Sequence, residues 1–156
     1  LPCAPAADRL DMARAAVAGL GAGRVTVDAW ELRRPGKSFT VDTLARLRRL
    51  RPADTLFFLA GADSWESLPR WRNPAGVARL CRFLVGRRPG AAAPRPAAGL
   101  PALEVLPGVF PDVSSTRLRA ELLCGDEPRE AAPGALGLIR ARGLYGGLIR
   151  RRLAGE

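Results

Sequence analysis

Three features of the 156-residue sequence predict an α/β fold, a parallel sheet flanked by helices. Apolar runs of strand length alternate with stretches whose apolar residues recur at helical spacing. The run from Leu56 to Ala60 is apolar without alternation, the pattern of a parallel central strand covered on both faces. Gly-, Pro- and Asn-containing turns separate the segments. The length suits one domain. Residues 1–146 are read as that domain and 147–156 as a basic tail.

The elements follow in order. Asp8 to Ala18 is an amphipathic helix, with Leu10, Ala13, Val17 and Leu20 near one face and glycines 19 and 21 ending it. Arg24–Asp28 alternates around Val25 and Val27 as a short strand, which Trp30–Leu32 continues. After the basic turn 33–36, the Thr40 hydroxyl is the expected N-cap of a helix carrying Val41, Leu44, Leu47 and Leu50, and Pro52 stops it. The strand at 55–60 runs into Gly61-Ala62-Asp63-Ser64. Asn73-Pro74 opens another helix, an N-cap followed by proline at the first helical position. Cys81–Gly86 and Leu103–Leu106 are further strands, and the Pro/Ala/Gly-rich stretch 89–101 between them is a loop. Ser114 or Ser115 caps a helix reaching Cys124, and Pro133–Arg142 is a last helix closed by Gly143. Right-handed crossovers would place helices on both faces of such a sheet, with ligands at the carboxyl ends of its strands.

Composition excludes much chemistry. There is no histidine, hence no Ser-His-Asp triad, imidazole base or histidine-held zinc. The chain is 47% hydrophobic and 26% charged, suited to a soluble core-forming domain, and its longest apolar run is far too short to span a bilayer. Aromatics at 6% argue against a base-stacking platform for single strands. Cys3, Cys81 and Cys124 are odd in number and widely spaced, so reduced thiols in a cytoplasmic protein are expected, with no disulfide framework or metal site. No export signal is visible at the start, which is leucine. The net charge of +10 is almost all arginine, Lys37 being the single lysine. Guanidinium groups match phosphate, which points to a phosphate-rich partner; the alternative is a GC-rich coding sequence, which raises Ala, Arg, Gly and Pro together, and individual arginines can be functional under either.

Candidate chemistry lies in several places along the chain. Gly36-Lys37-Ser38 fails as a phosphate loop, because Glu31 stands where the motif needs glycine. Gly61 allows close approach to the backbone, and Asp63 just past a strand meets ribose hydroxyls, helps hold a metal, or simply caps the next helix. Ser114-Ser115-Thr116 at a helix start, with Arg119 a few residues inside, form an anion site or an ordinary serine cap. Phe39, Trp65 and Trp71 are candidate flat surfaces for a ligand ring. Core packing is the main alternative, least so for Trp71 between two arginines. Arg87 and Arg88, at a strand's end, face phosphates or a solvated turn.

Six segments in one order carry a resemblance: Lys37–Leu44, Phe57–Ser64, Leu68-Pro69-Arg70-Trp71, Arg87-Arg88-Pro89-Gly90, Val113–Arg119 and Gly143-Leu144-Tyr145. Together they resemble the bacterial nicotinate-nucleotide adenylyltransferases, which join nicotinate mononucleotide to AMP from ATP in NAD biosynthesis. The resemblance runs from about Arg9 to Tyr145 and implies a Rossmann-like nucleotidyltransferase fold. It implies that Ser114, Ser115, Thr116 and Arg119 hold ATP phosphates, Arg119 as the catalytic group. It further implies that Gly61 and Asp63 contact the nucleotide, and that Phe39, Thr40, Trp71, Arg72 and Arg88 receive nicotinate mononucleotide. ATP is then a substrate and Mg²⁺ the expected ion, with small nucleotides as partners, neither nucleic acid nor membrane, and self-association left open.

Departures accompany the match. Phe39 stands where tyrosine is common, Val113 and Leu118 vary within the serine-rich motif, and Arg72 follows Trp71 where tyrosine is frequent. The family's opening strand and G-x-F-x-P-x-H-x-x-H loop have no counterpart. The expectations are a truncated reading frame, a chain inactive on its own, and an apolar sheet edge that loosens its packing. Two other readings remain beside this one: a basic nucleic-acid-binding module, and a related adenylyltransferase acting on nicotinamide mononucleotide or phosphopantetheine.

Overall fold

The computed structural model describes residues 4–20, 23–87, 89–90, 94–96, 99–108 and 110–146. They fall into two compact units, Arg34–Asp112 and a second formed by Leu1–Arg33 with Val113–Glu156. The tail 147–156 lies outside the described residues.

In the 34–112 unit, α2 spans Thr40–Leu50 and α4 Pro74–Leu80, with the short α3 (Ala62–Ser67) between them. The cap of α2 differs from expectation. Phe39, extended at φ −121° and ψ 141°, is the boundary residue, and its carbonyl accepts the N–H groups of Asp42 (2.9 Å) and Thr43 (3.3 Å). Thr40 already has its place in the first turn, so its hydroxyl is not the cap. At Asn73 the expected cap holds. Its backbone is left-handed (φ 52°), and its side-chain oxygen accepts Gly76 N–H at 2.9 Å. A Cβ at position 76 would lie 2.5 Å from the Asn73 amide, which is why glycine serves there. Arg48 links the ends of two helices by donating to the carbonyls of Asp54 (2.6 Å) and Leu80 (3.1 Å).

Strands β1 (Phe57–Gly61), β2 (Arg82–Gly86) and β3 (Leu103–Val105) form one parallel sheet in the order β1-β2-β3. The fold class read from the sequence is the one observed. Register aligns Phe58 with Phe83 and Ala60 with Val85, placing these four on one face. Leu44 of α2, Trp65 of α3, Leu68 and Val77 of α4 close over that face, and Phe83, Val85, Leu68 and Val77 are fully buried. The opposite face departs from the two-sided burial expected of 55–60, since Phe57 is 48% and Leu59 70% exposed. The apolar run therefore reports membership of the sheet, and the described residues cover one face of β1.

Cys81, at the end of α4, is buried, donates to the Val77 carbonyl at 3.6 Å, and has its thiol pKa pushed up by desolvation to about 11. Cys124 is exposed. The thiolate is the reacting form, so at pH 8 iodoacetamide should modify Cys124 and leave Cys81 intact until the chain is unfolded. Equal labelling of both in native protein, read by peptide mass spectrometry, would contradict this burial.

In the other unit, α1 (Ala6–Val17) packs on α6 (Pro133–Arg142), and α5 (Ser115–Cys124) completes it. The α1–α6 approach is close because position 134 is glycine; a Cβ there would collide with the Ala15 carbonyl oxygen. Arg142 clamps the same pair, donating to Asp8 (2.7 Å) and Asp11 (2.8 Å), and these bonds hold its pKa above the ordinary value. Leu122 and Ile139 are the buried apolar residues of α5 and α6. The strand expected at 24–28 is not formed. Val25 is 43% exposed, and no ladder partner engages the segment among the described residues. Alternation alone gives extended chain; a strand also needs a neighbour to take its N–H and C=O groups. Nor does Trp30–Leu32 extend it, because the Asp28 carboxylate accepts Trp30 N–H at 2.9 Å and turns the chain into a 3-10 turn at Glu31–Arg33.

Candidate functional site

Each unit presents one set of the candidate residues. In the 34–112 unit the chain leaves β1 at Gly61 and enters α3 directly. A Cβ on Gly61 would meet nothing within 4 Å, so the space before this backbone is open at the carboxyl end of the strand. Asp63 is exposed in the first turn of α3. The cap position belongs to Gly61 and no side-chain cap bond is made, so Asp63 is not the capping residue.

The two tryptophans divide as their neighbours dictate. Trp65 is buried, edge-on to Phe83 at 5.5 Å, and its indole N–H donates to the Arg95 carbonyl at 3.1 Å; it is core. Trp71 is half-buried. One side meets Phe58 edge-on at 5.7 Å, and its indole N–H donates to Ser67 Oγ at 3.1 Å. The other side lines a cleft of about 240 Å³ with Ser38, Phe39, Thr40, Arg70 and Arg72. Helix α2 begins at this cleft, so its first-turn amides and positive dipole end border it. The Arg72 guanidinium carbon lies 4.5 Å from the centroid of the Phe39 ring. Phe39, Thr40, Trp71 and Arg72 are thus brought together as the sequence suggested. Arg70 is an addition, and its place beside Trp71 in Leu68-Pro69-Arg70-Trp71 was the signal for it.

At the end of β2, Arg87 holds its Nε buried with no hydrogen-bond partner among the described residues, while its carbonyl accepts Phe110 N–H at 2.9 Å. Arg88 lies outside the described residues.

In the other unit, Ser114 is the N-cap of α5, and its hydroxyl accepts Arg117 N–H at 3.5 Å. The capping alternative is therefore real for Ser114, whereas Ser115 and Thr116 are exposed in the first turn. The arginines of this helix separate sharply. Arg117 pairs with Glu121 (3.3 Å) and Glu130 (2.7 Å). The Glu130 carboxyl is held below its usual range first by a backbone hydrogen bond and also by Arg117. Arg119 has no acidic partner among the described residues; its guanidinium folds back to donate to Thr116 Oγ1 at 3.3 Å. Ser115 and Arg119 also border a shallow cleft of about 360 Å³ with Met12, Ala16 and Tyr145. A hydroxyl-rich helix start with an unneutralised arginine folded toward it is suited to phosphate oxygens.

Among the described residues no three carboxylates, thiols or imidazoles gather, so these side chains do not build a Mg²⁺ cage. A divalent ion arriving with a triphosphate would take phosphate oxygens as its ligands. No helix among them is long and apolar enough to cross a membrane.

Comparison with known proteins fixes the family. No family model matches the chain. The probable nicotinate-nucleotide adenylyltransferase of Thermus thermophilus is 40% identical over 148 residues, covering 93% of this chain and 76% of that protein. The corresponding proteins of Shouchella clausii and Chromobacterium violaceum are 37% and 38% identical, covering 89% and 92% of this chain and 70% and 76% of theirs. Among solved structures, Plasmodium falciparum nicotinic acid mononucleotide adenylyltransferase complexed with APC matches with a TM-score of 0.55 at 19% identity, over 71% of this chain and 60% of that one, a likeness of fold. With identity near 40% sustained over nine-tenths of its length, the chain belongs to the nicotinate-nucleotide adenylyltransferase family.

Proposed function

We propose that this protein serves the transfer of AMP from ATP to nicotinate mononucleotide, giving nicotinic acid adenine dinucleotide and pyrophosphate. The observation that carries the reading is the identity to the Thermus thermophilus protein across 93% of the chain. In this reading residues 1–146 work as one nucleotidyltransferase domain in the cytoplasm, where its thiols stay reduced. A phosphate oxygen of the mononucleotide attacks the α-phosphorus of ATP in line, and the bond to the pyrophosphate oxygen breaks. Protein groups have little covalent work in such a step; they position the reactants and balance charge.

Residue roles follow from the chemistry available. Ser114, Ser115, Thr116 and Arg119 hold ATP phosphates, and Arg119 stabilises the charge developing on the leaving oxygens. Gly61 admits the nucleotide to the backbone and Asp63 accepts from ribose hydroxyls. Phe39 and Trp71 flank the pyridine ring, while Thr40, Arg72 and Arg88 serve the anionic groups of the mononucleotide. Without a single histidine, turnover by the 156-residue chain alone is expected to be lost or very slow, so binding is the informative measurement.

Calorimetric titration of the chain with nicotinate mononucleotide, nicotinamide mononucleotide and phosphopantetheine tests the reading. Nicotinate mononucleotide should bind most tightly, because the cleft offers both aromatic surface and cations. Tighter binding of phosphopantetheine, which has no ring to stack, would overturn it. So would salt-steep binding to duplex DNA that free ATP fails to compete.

A further inference from the structure

We propose that the cleft at the amino ends of β1 and β2 holds a phosphate dianion between Arg79 and Arg82. None of the residues lining it has a part in the proposed transfer, so the inference goes beyond that reading and does not depend on it.

The chain itself brings the two guanidiniums together. Arg79 lies in the last turn of α4 and Arg82 opens β2, with Leu80 and Cys81 between them. Cys81 is extended (φ −149°, ψ 165°), so helix passes into strand without a loop. Both arginines border one cleft of about 290 Å³, with Arg48, Asp54 and Thr55 also on its wall. Arg34, Arg117, Arg140 and Arg142 all have carboxylate partners. Arg79 and Arg82 are exposed, and neither has such a partner among the described residues. The Arg82 guanidinium carbon lies instead 5.8 Å from the centroid of the Phe57 ring. A ring face holds a cation without neutralising it.

Two features oppose an anion here, and each has an answer in the cleft. Helices α2 and α4 both end beside it, and helix C-termini carry partial negative charge on free carbonyls. Arg48, in the last turn of α2, occupies these carbonyls by donating to Asp54 (2.6 Å) and Leu80 (3.1 Å). The second feature is the Asp54 carboxylate, one negative charge that Arg79 and Arg82 together exceed. A concave surface with an excess of one sign concentrates counter-ions. The choice of phosphate follows from donor geometry. Guanidiniums only donate, and their planar forks match phosphate oxygens in pairs. A dianion with several accepting oxygens can engage both arginines and the Thr55 hydroxyl at once, which chloride cannot.

The test is heteronuclear NMR on the nitrogen-labelled chain, reading the Thr55 amide and the Nε–H groups of Arg79 and Arg82. Inorganic phosphate and AMP are titrated separately, with chloride at matched ionic strength as the control. Saturable shifts at these three positions with either phosphate are expected, and the tighter of the two says whether the free or the nucleotide-borne group fits. The double variant Arg79→Gln/Arg82→Gln should bind about tenfold more weakly. Asp54→Asn removes the opposing charge and should bind roughly two- to fivefold more tightly. Thermal melting checks that both variants fold, and Asp54→Asn decides the matter alone if the double variant does not. Shifts that chloride reproduces, or that grow without saturating, reduce the cleft to a screened basic surface and overturn the proposal. So does a folded double variant that binds like the parent, or an Asp54→Asn variant with no gain.

Discussion

Replacing Arg119 with alanine is expected to weaken ATP binding roughly 10- to 100-fold, the loss that follows removal of a charge-assisted hydrogen-bonding partner. The neighbouring Arg117 makes the comparison sharp. Both stand in the first turns of α5, and a net positive surface alone would treat them alike. Arg117 is neutralised by Glu121 and Glu130, while Arg119 turns toward the hydroxyl-bearing helix start and donates to Thr116, with no acidic partner among the described residues. Arg117→Ala removes two solvent-screened ion pairs of little consequence to stability, and should leave ATP affinity within about threefold. Titration of both variants with ATP at fixed salt decides the matter. Equal losses would reduce the helix start to a diffuse basic surface. No loss in Arg119→Ala would remove that residue from the phosphate site. Because Arg119 is half-buried, the variant's melting temperature must be shown to match the parent.

The contrast between these arginines also shows what could be read before the structure. The spacing of Ser114-Ser115-Thr116 and Arg119 marks a helix start with a cation one turn inside, and local chain geometry dictates that arrangement. The i,i+4 spacing of Arg117 and Glu121 already points to the neutralised arginine, whereas its second partner, Glu130, lies thirteen positions away and needed the fold. The cleft beside Trp71 divides the same way. Phe39, Thr40 and Trp71 were legible as aromatic and hydroxyl groups at element boundaries. The stack of Arg72 on Phe39 joins residues from two segments and needed the fold. The errors have one origin. Arg24–Asp28 and the two faces of β1 were read from local pattern, but pairing and coverage are properties of neighbours. Val25 is exposed in chain that forms no strand, and Leu59 is 70% exposed on a strand whose other face is core. The Thr40 cap failed more narrowly, by one residue, because the chain turns into the helix at Phe39.

Phe83→Ala is expected to destabilise the chain by about 3–5 kcal/mol, the usual result of emptying a fully buried aromatic site. Phe83 has no exposed surface, and three rings surround it, Phe58 at 5.0 Å, Trp65 at 5.5 Å and Trp71 at 6.3 Å between centroids. Its place in the middle strand of the sheet leaves no direction for collapse into the gap, since β1 and β3 flank it in register through Phe58 and Leu103. Against a domain stability of about 5–15 kcal/mol, the loss takes a large part of the total. Leu59→Ala, on the face of β1 that is exposed, should change stability by no more than about 0.5 kcal/mol. Urea unfolding followed by tryptophan fluorescence separates the two, provided the slope of the transition is unchanged between variants. Similar losses at both positions would mean that the sheet is covered on both faces in solution. The substitution reaches the candidate site as well, because Trp71 touches Phe58 and Phe83 and also lines the cleft with Phe39, Thr40 and Arg72. Phe83→Leu, which keeps most of the volume and retains a folded chain, should therefore weaken nicotinate mononucleotide binding while ATP affinity holds. Loss of both affinities together, in a variant whose melting curve stays cooperative, would show that the aromatic cluster does not support the cleft alone.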